Sequence, residues 1–183
     1  YIGDTIPVGI GQSFWTTTPI QLAHSLNTLV NRGERYIPQI IRGFKKADNS
    51  VDVLPLKTLR PLQFKQQENI DIVLNAMHDV VHGSEGTARS VFKDAPYQSA
   101  GKTGTAQLFS VGQDEKYDAD KVDERLRDNA MYVGYAPFEA PEISVTVVLE
   151  NAGGGSSNAA PVAREIMDFY FRDRVFDTDI AQV

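Results

Sequence analysis

Lys102, Thr103, Gly104 and Thr105 bring an ammonium, two hydroxyls and a bare backbone position together inside the string SAGKTGTAQLF. Two chemistries use such a string. A phosphate-cradling loop ends in Gly-Lys-Thr, but it needs a glycine five places earlier, where backbone N–H groups curl around the phosphates. Pro96 holds that place and has no N–H to give. Such a loop also opens a helix, whereas TGTAQLF spaces β-branched threonines and glycine in the alternation of a strand. Along a strand the side chains alternate, so Thr103 and Thr105 share one side, and Lys102 and Gly104 the other. Hydroxyls and an ammonium at one strand edge match a carboxylate. Gly104 leaves the main chain bare, so a ligand's backbone can lie beside it as an added strand.

Other strings carry less chemistry. GIGQSF has two of the three glycines of a dinucleotide-binding fingerprint, but Phe14 takes the third place and no parallel βαβ pattern surrounds it. His78 and His82 stand at helical spacing with no glutamate between them, so they read as solvated helix residues, and no metal is expected. A formal charge of -6 without a basic stripe sets nucleic acid aside. The absence of cysteine removes disulfides, thiolate nucleophiles and Cys-type zinc sites. No run approaches the roughly eighteen apolar residues of a membrane-spanning helix. The opening YIGDTIPVGIGQ reads as the middle of a loop.

Three helices are expected around the strand. Thr18 can cap and Pro19 start a helix with Leu22, Leu26, Leu29 and Val30 on one stripe, ending at Gly33. A second runs from about Lys65 to His82 with Ile70, Leu74, Met77 and Val81 inward and Gly83 as its stop. Ser157 or Asn158 can cap a third, with Val162, Ile166, Phe169 and Tyr170 inward. Residues 33–65 read as loops with brief strands. HGSEGTARSVF reads as a Gly-rich turn leading into an extended piece. QSAGKTGTAQLF, NAMYVGYAPF and EISVTVVLEN are strand candidates, the last two joined through EAPE as a hairpin. The stretch SVGQDEKYDADKVDERLRD is too long for a hairpin turn and reads as a solvated excursion with a helical turn near Val122–Arg127. The fold class is α+β, an antiparallel sheet covered by helices.

The string AGKTGTAQ resembles the third motif of the penicillin-recognising serine transferases, whose set is Ser-x-x-Lys, Ser-x-Asn and Lys-Thr-Gly. Flanking strings narrow the resemblance to the class B penicillin-binding proteins, in their elongation-transpeptidase branch. These are IPVGIGQSFWTTTPIQLAHSLNTLVNRG, GTARSVF, ERLRDNAMYVGYAPF and VVLENAGGG. It covers nearly the whole chain and is weakest between about Arg42 and Glu68. The resemblance implies a penicillin-binding protein/β-lactamase-like serine transferase fold, present here in part. It also implies a D,D-transpeptidase that cross-links peptidoglycan stem peptides through a serine acyl-enzyme and is trapped by β-lactams. Lys102 would assist proton management, Thr103 and Thr105 would hold the terminal carboxylate, and Gly104 would keep the strand open. The Thr105 N–H would be half of the oxyanion hole. No cofactor is implied. The implied partners are stem peptides, β-lactams and a membrane glycosyltransferase of the elongation machinery. The implied place is the periplasmic face of the bacterial inner membrane, with an anchor upstream.

One departure from the family pattern bears on mechanism. The family's Ser-x-x-Lys nucleophile and its Ser-x-Asn motif precede the region that this chain resembles, so no nucleophile is expected within it. Ser90–Lys93 and Ser99–Lys102 fit Ser-x-x-Lys as strings, but both lie beside the third motif and neither reads as helical. Ser25–Asn27 lies inside a packing helix and Ser156–Asn158 reads as a cap. The chain is expected to be the C-terminal portion of a transpeptidase domain. A serine β-lactamase or penicillin sensor shares the third motif, and a non-catalytic wall-peptide-binding module is the alternative from another class.

Overall fold

The structure is a computed structural model that describes residues 5–12, 16–108 and 122–173. In chain order it contains α1 (Thr5–Gly9), α2 (Pro19–Val30), β1 (Arg35–Tyr36), β2 (Gly43–Lys45), β3 (Val51–Val53), β4 (Thr58–Leu59) and α3 (Glu68–His82). Then come α4 (Arg89–Phe92), β5 (Ala100–Ala106), β6 (Asn129–Ala136), β7 (Ile143–Leu149) and α5 (Ala160–Phe171).

The helix start at Thr18 follows from its sequence. Its side chain accepts the Gln21 N–H at 3.3 Å while Gln21 Oε1 accepts the Thr18 N–H at 2.8 Å, a reciprocal box that satisfies donors the helix itself cannot. α3 begins at Glu68, slightly inside the expected start, and buries Ile70, Leu74, Met77 and Val81 as their spacing predicts. Between these helices the brief strands form two antiparallel pairs, β1 with β4 and β2 with β3.

β5, β6 and β7 form one antiparallel sheet in that order, with Lys102 opposite Val133 and Val133 opposite Thr146. One face, carrying Tyr132, Val145 and Val147, packs against Ala160, Ala163, Met167 and Phe171 of α5 and Phe92 of α4. The other, carrying Ala100 and Tyr135, packs against Leu26 of α2 and Ile70, Leu74 and Met77 of α3. The lysine–threonine strand is therefore clamped between helical layers, and its direction is set by burial on both sides.

Three expectations are corrected. Residues 5–9 form the helix α1 rather than loop. HGSEGTARSVF does not run on as extended chain: Ala88 (0% exposed) and Phe92 (1%) are both buried, and inserting both in one core winds residues 89–92 into α4. The third long helix turns a different face inward. A π-helical turn, Gly155–Ala159, precedes α5, and the small side chains Ala160 and Ala163 are buried with Met167 and Phe171 in the core beneath the sheet. Val162, Ile166, Phe169 and Tyr170 are exposed, Phe169 to 67%. Neither Ser157 nor Asn158 caps this helix; Ser157 Oγ donates to the Gly154 carbonyl and Asn158 Nδ2 to that of Ala152.

Candidate functional site

The edge of β5 away from β6 is open. In an antiparallel ladder a residue either exchanges both backbone bonds with its opposite number or points both groups away. The Ser99 N–H donates to His82 Nε2 at 3.1 Å, and the Thr105 carbonyl accepts from Gln12 Nε2 at 2.9 Å. Ser99, Gly101, Thr103 and Thr105 thus point their peptide groups off the sheet, and among the described residues no strand pairs there. The Thr105 N–H faces the same way as its carbonyl. Lys102 curls to that edge, its Nζ donating to the Thr103 carbonyl at 2.5 Å. Thr103 and Thr105 share the face of Tyr132, while Gly104 lies on the other beside Met131, as alternation requires. Ammonium, hydroxyls, bare backbone and outward N–H are all brought to one edge.

Distant segments converge on these four residues. Gln12, at the end of α1, bonds Thr105. Thr87, in the turn before α4, places its Oγ1 2.9 Å from Thr103 Oγ1 in a hydrogen bond. That turn is fixed, because the Ala88 N–H donates to the Val80 carbonyl at 3.0 Å. Gly155 lies on the backbone of β5, where a Cβ would stand 2.3 Å from the Gly104 carbonyl oxygen. Asn151 joins two further strings: its Nδ2 donates to the carbonyls of Arg125 (2.9 Å) and Arg127 (3.2 Å), holding the 3-10 turn Glu124–Leu126. The expected helical turn near Val122–Arg127 is this one; residues 109–121 lie outside the described ones. GIGQ, GTARS and LENAGGG thus each reach β5, and LENAGGG in turn holds ERLRD.

The histidines are not simply solvated. His78 and His82 stack with ring centroids 4.6 Å apart, His78 also meets Phe138 at 4.6 Å, and His78 Nε2 bonds Gln98 Oε1 at 3.1 Å. Burial, and secondly the neighbouring His78, push His82 down to about 4, so Nε2 keeps the lone pair that accepts the Ser99 N–H. Spacing places both rings on one helix face but carries no sign of this contact across the chain.

Ser90 is helical, correcting the extended reading, but it lies exposed on a helix of four residues rather than opening a buried one. Ser99 is 0% exposed and precedes β5. Ser25 and Asn27 are exposed positions of α2. A cavity of about 300 Å³ lined by Val30, Arg32, Leu74, Tyr135 and Phe138 contains none of Lys102, Thr103, Gly104 or Thr105. Gln12, Thr87 and Gly155, which reach β5, and Asn151, which holds the neighbouring turn, are not singled out by sequence reasoning, although all lie inside the strings that carry the resemblance; His82 is read there only as a solvated helix residue.

Residues 1–168 match the family model described as the penicillin binding protein transpeptidase domain. The chain belongs to this family. Over 174 residues it is 44% identical to the peptidoglycan D,D-transpeptidase MrdA of Haemophilus influenzae, covering 94% of this chain and 26% of the relative. Among solved structures it superposes on Pseudomonas aeruginosa PBP2, solved in complex with WCK 5153, with a TM-score of 0.74 and 35% identity. That match covers 100% of this chain and 37% of the other. Helicobacter pylori PBP2, solved in complex with MreC, shares the fold with a TM-score of 0.69 at 22% identity, over 94% of this chain and 28% of that one. The chain therefore spans about a quarter of the length of the curated transpeptidase, and the antiparallel sheet between helices is the fold of this family.

Proposed function

We propose that the chain is the substrate-binding and oxyanion-donating part of a peptidoglycan D,D-transpeptidase. The observation that carries this is the open edge of β5, where Lys102, the Thr103 hydroxyl, the bare Gly104 and the outward Thr105 peptide lie together. A stem peptide ending in D-alanyl-D-alanine lies against Gly104 as an added strand, with its terminal carboxylate on Thr103, Thr105 and the Lys102 ammonium. The Thr105 N–H donates to the scissile carbonyl oxygen as it gains charge, a donation worth ~3 kcal/mol at such sites. A serine from outside the described residues attacks, D-alanine leaves, and an acceptor amine resolves the ester. Lys102 assists the proton transfers. β-Lactams, whose carboxylate mimics the substrate's, occupy the same strand.

We also propose a setting at the periplasmic face of the bacterial inner membrane, where peptidoglycan, the substrate named for the 44% identical relative, is cross-linked, and a membrane glycosyltransferase of the elongation machinery as partner. No helix among the described residues is long and apolar enough to cross a membrane.

Titrating a D-alanyl-D-alanine peptide into the isotope-labelled chain tests the binding role. Saturable shifts centred on residues 102–105, weakened by Thr103→Ala, are expected; shifts elsewhere, or none, overturn the reading. Intact mass after incubation with a labelled penicillin is expected to stay unmodified. A stoichiometric adduct would place the nucleophile within the chain.

A further inference from the structure

We infer that Gln12 is a positioning residue for the Thr105 peptide, and through it for the outward N–H that the proposed function uses; the inference rests on that reading. Thr105 stands one residue from the end of β5, where the ladder closes at Ala106 opposite Asn129. Strand ends fray, and an outward peptide there has no ladder bond to hold it. Gln12 Nε2 supplies one from 93 residues away, donating to the Thr105 carbonyl at 2.9 Å.

The clamp is itself anchored. Gln12's own N–H donates to the Pro7 carbonyl at 2.9 Å, and Gly11 before it has φ 79°, the left-handed turn that ends α1 and that glycine adopts without strain. One end of the side chain is therefore fixed to a helix terminus and the other to the strand. Because the N–H and C=O of a strand residue point the same way, fixing the carbonyl outward fixes the N–H outward too. A donor already aimed before charge develops needs no reorganisation at the moment of reaction, which is where such donors gain their effect. At the other end of the edge His82 holds Ser99 in the same manner, leaving Gly101 and Thr103 between two side-chain clips for an extended ligand.

The test uses Gln12→Met, which keeps length and removes the donor without adding charge, and Gln12→Ala. In the wild-type chain, D-alanyl-D-alanine peptide is expected to move the Thr105 amide proton downfield as it saturates. In either folded variant, binding should weaken by about 2- to 10-fold, the span of one lost hydrogen bond. The Thr105 amide should lose most of its shift on binding and exchange faster in the free chain. The response at Thr103 should persist. If Thr105 responds alike in wild type and variants, Gln12 has no positioning role while the site reading stands. If the wild-type chain binds no peptide, the reading of the site fails and this inference with it.

Discussion

Gly155 rests on the peptide of Gly104, so close that a Cβ on Gly155 would stand 2.3 Å from the Gly104 carbonyl oxygen and 2.4 Å from that of Met131. The two glycines serve opposite ends. Gly155 lets the loop before α5 seal one side of β5, while a Cβ on Gly104 would meet only Met131 Cβ and Cε, each at 3.4 Å.

Opposite outcomes are expected for the two alanine variants. Gly155→Ala must push backbone against backbone and should lose about 1–3 kcal/mol of stability in urea unfolding. Gly104→Ala should stay within ~1 kcal/mol of wild type, yet bind D-alanyl-D-alanine peptide at least ~10-fold more weakly because its methyl crowds the open face of β5 beside the edge where the ligand lies. Equal stability loss in both would show that the open side of Gly104 is filled.

Arg164 ties α5 to the end of α4. Its Nε donates to both oxygens of Asp168 at 2.7 Å, its other nitrogens donate to the carbonyls of Val91 (3.0 Å) and Asp94 (3.3 Å), and Tyr97 Oη donates to the same Asp168 at 2.7 Å. The Arg164 side chain is only 17% exposed, so its bonds are shielded from solvent. Arg164→Ala should cost about 2–4 kcal/mol. Arg164→Lys should recover little, because a single ammonium cannot span a carboxylate and two carbonyls at once. Recovery to wild-type stability by lysine would make charge alone sufficient.

What the sequence makes legible follows the size of each signal. Ile70, Leu74, Met77 and Val81 are large, regularly spaced and uninterrupted, and they are buried together. Alternation in β5 and β7 is equally plain, and with it the face on which Thr103 sits. α5 defeats the same reasoning because two of its four buried residues are alanines. Close approach favours small side chains there, while a stripe weighted by hydrophobicity picks Val162, Ile166 and Phe169. At the site, Lys102, Thr103, Gly104 and Thr105 are visible as chemistry. Gln12, Thr87, Asn151 and His82 act through bonds to backbone or to another hydroxyl far along the chain, and such bonds leave no periodicity behind.

Asn151 should tolerate neither loss nor inversion of its donors. It sits at φ 55°, a region that asparagine enters more readily than most residues, and gives both bonds that hold the Glu124–Leu126 turn. Asn151→Ala should cost about 1–3 kcal/mol and speed proteolysis within residues 122–128. Asn151→Asp is isosteric but turns an acceptor toward two carbonyls, so it should be the worse of the two by limited proteolysis and by thermal melting. Asp at wild-type stability would mean that shape, not donation, holds the turn.

His82 should give the fold a pH dependence of known sign. Its ring lies at about 4 when folded, against roughly 6.5 in an unfolded chain. Between these values the unfolded state takes up a proton that the folded state refuses, so stability rises with pH across that window. The contribution is complete above about pH 6.5 and is lost as the pH falls toward 4, below which it changes no further. Protonation at Nε2 would remove the acceptor of the Ser99 N–H, the bond that holds the start of β5 three residues before Lys102. His82→Gln can keep an acceptor there without titrating. Melting temperatures at pH 7, 5.5 and 4.5 should therefore fall more steeply for wild type than for this variant. Parallel profiles would show that the buried ring is protonated without cost, and that the bond to Ser99 does not depend on its lone pair.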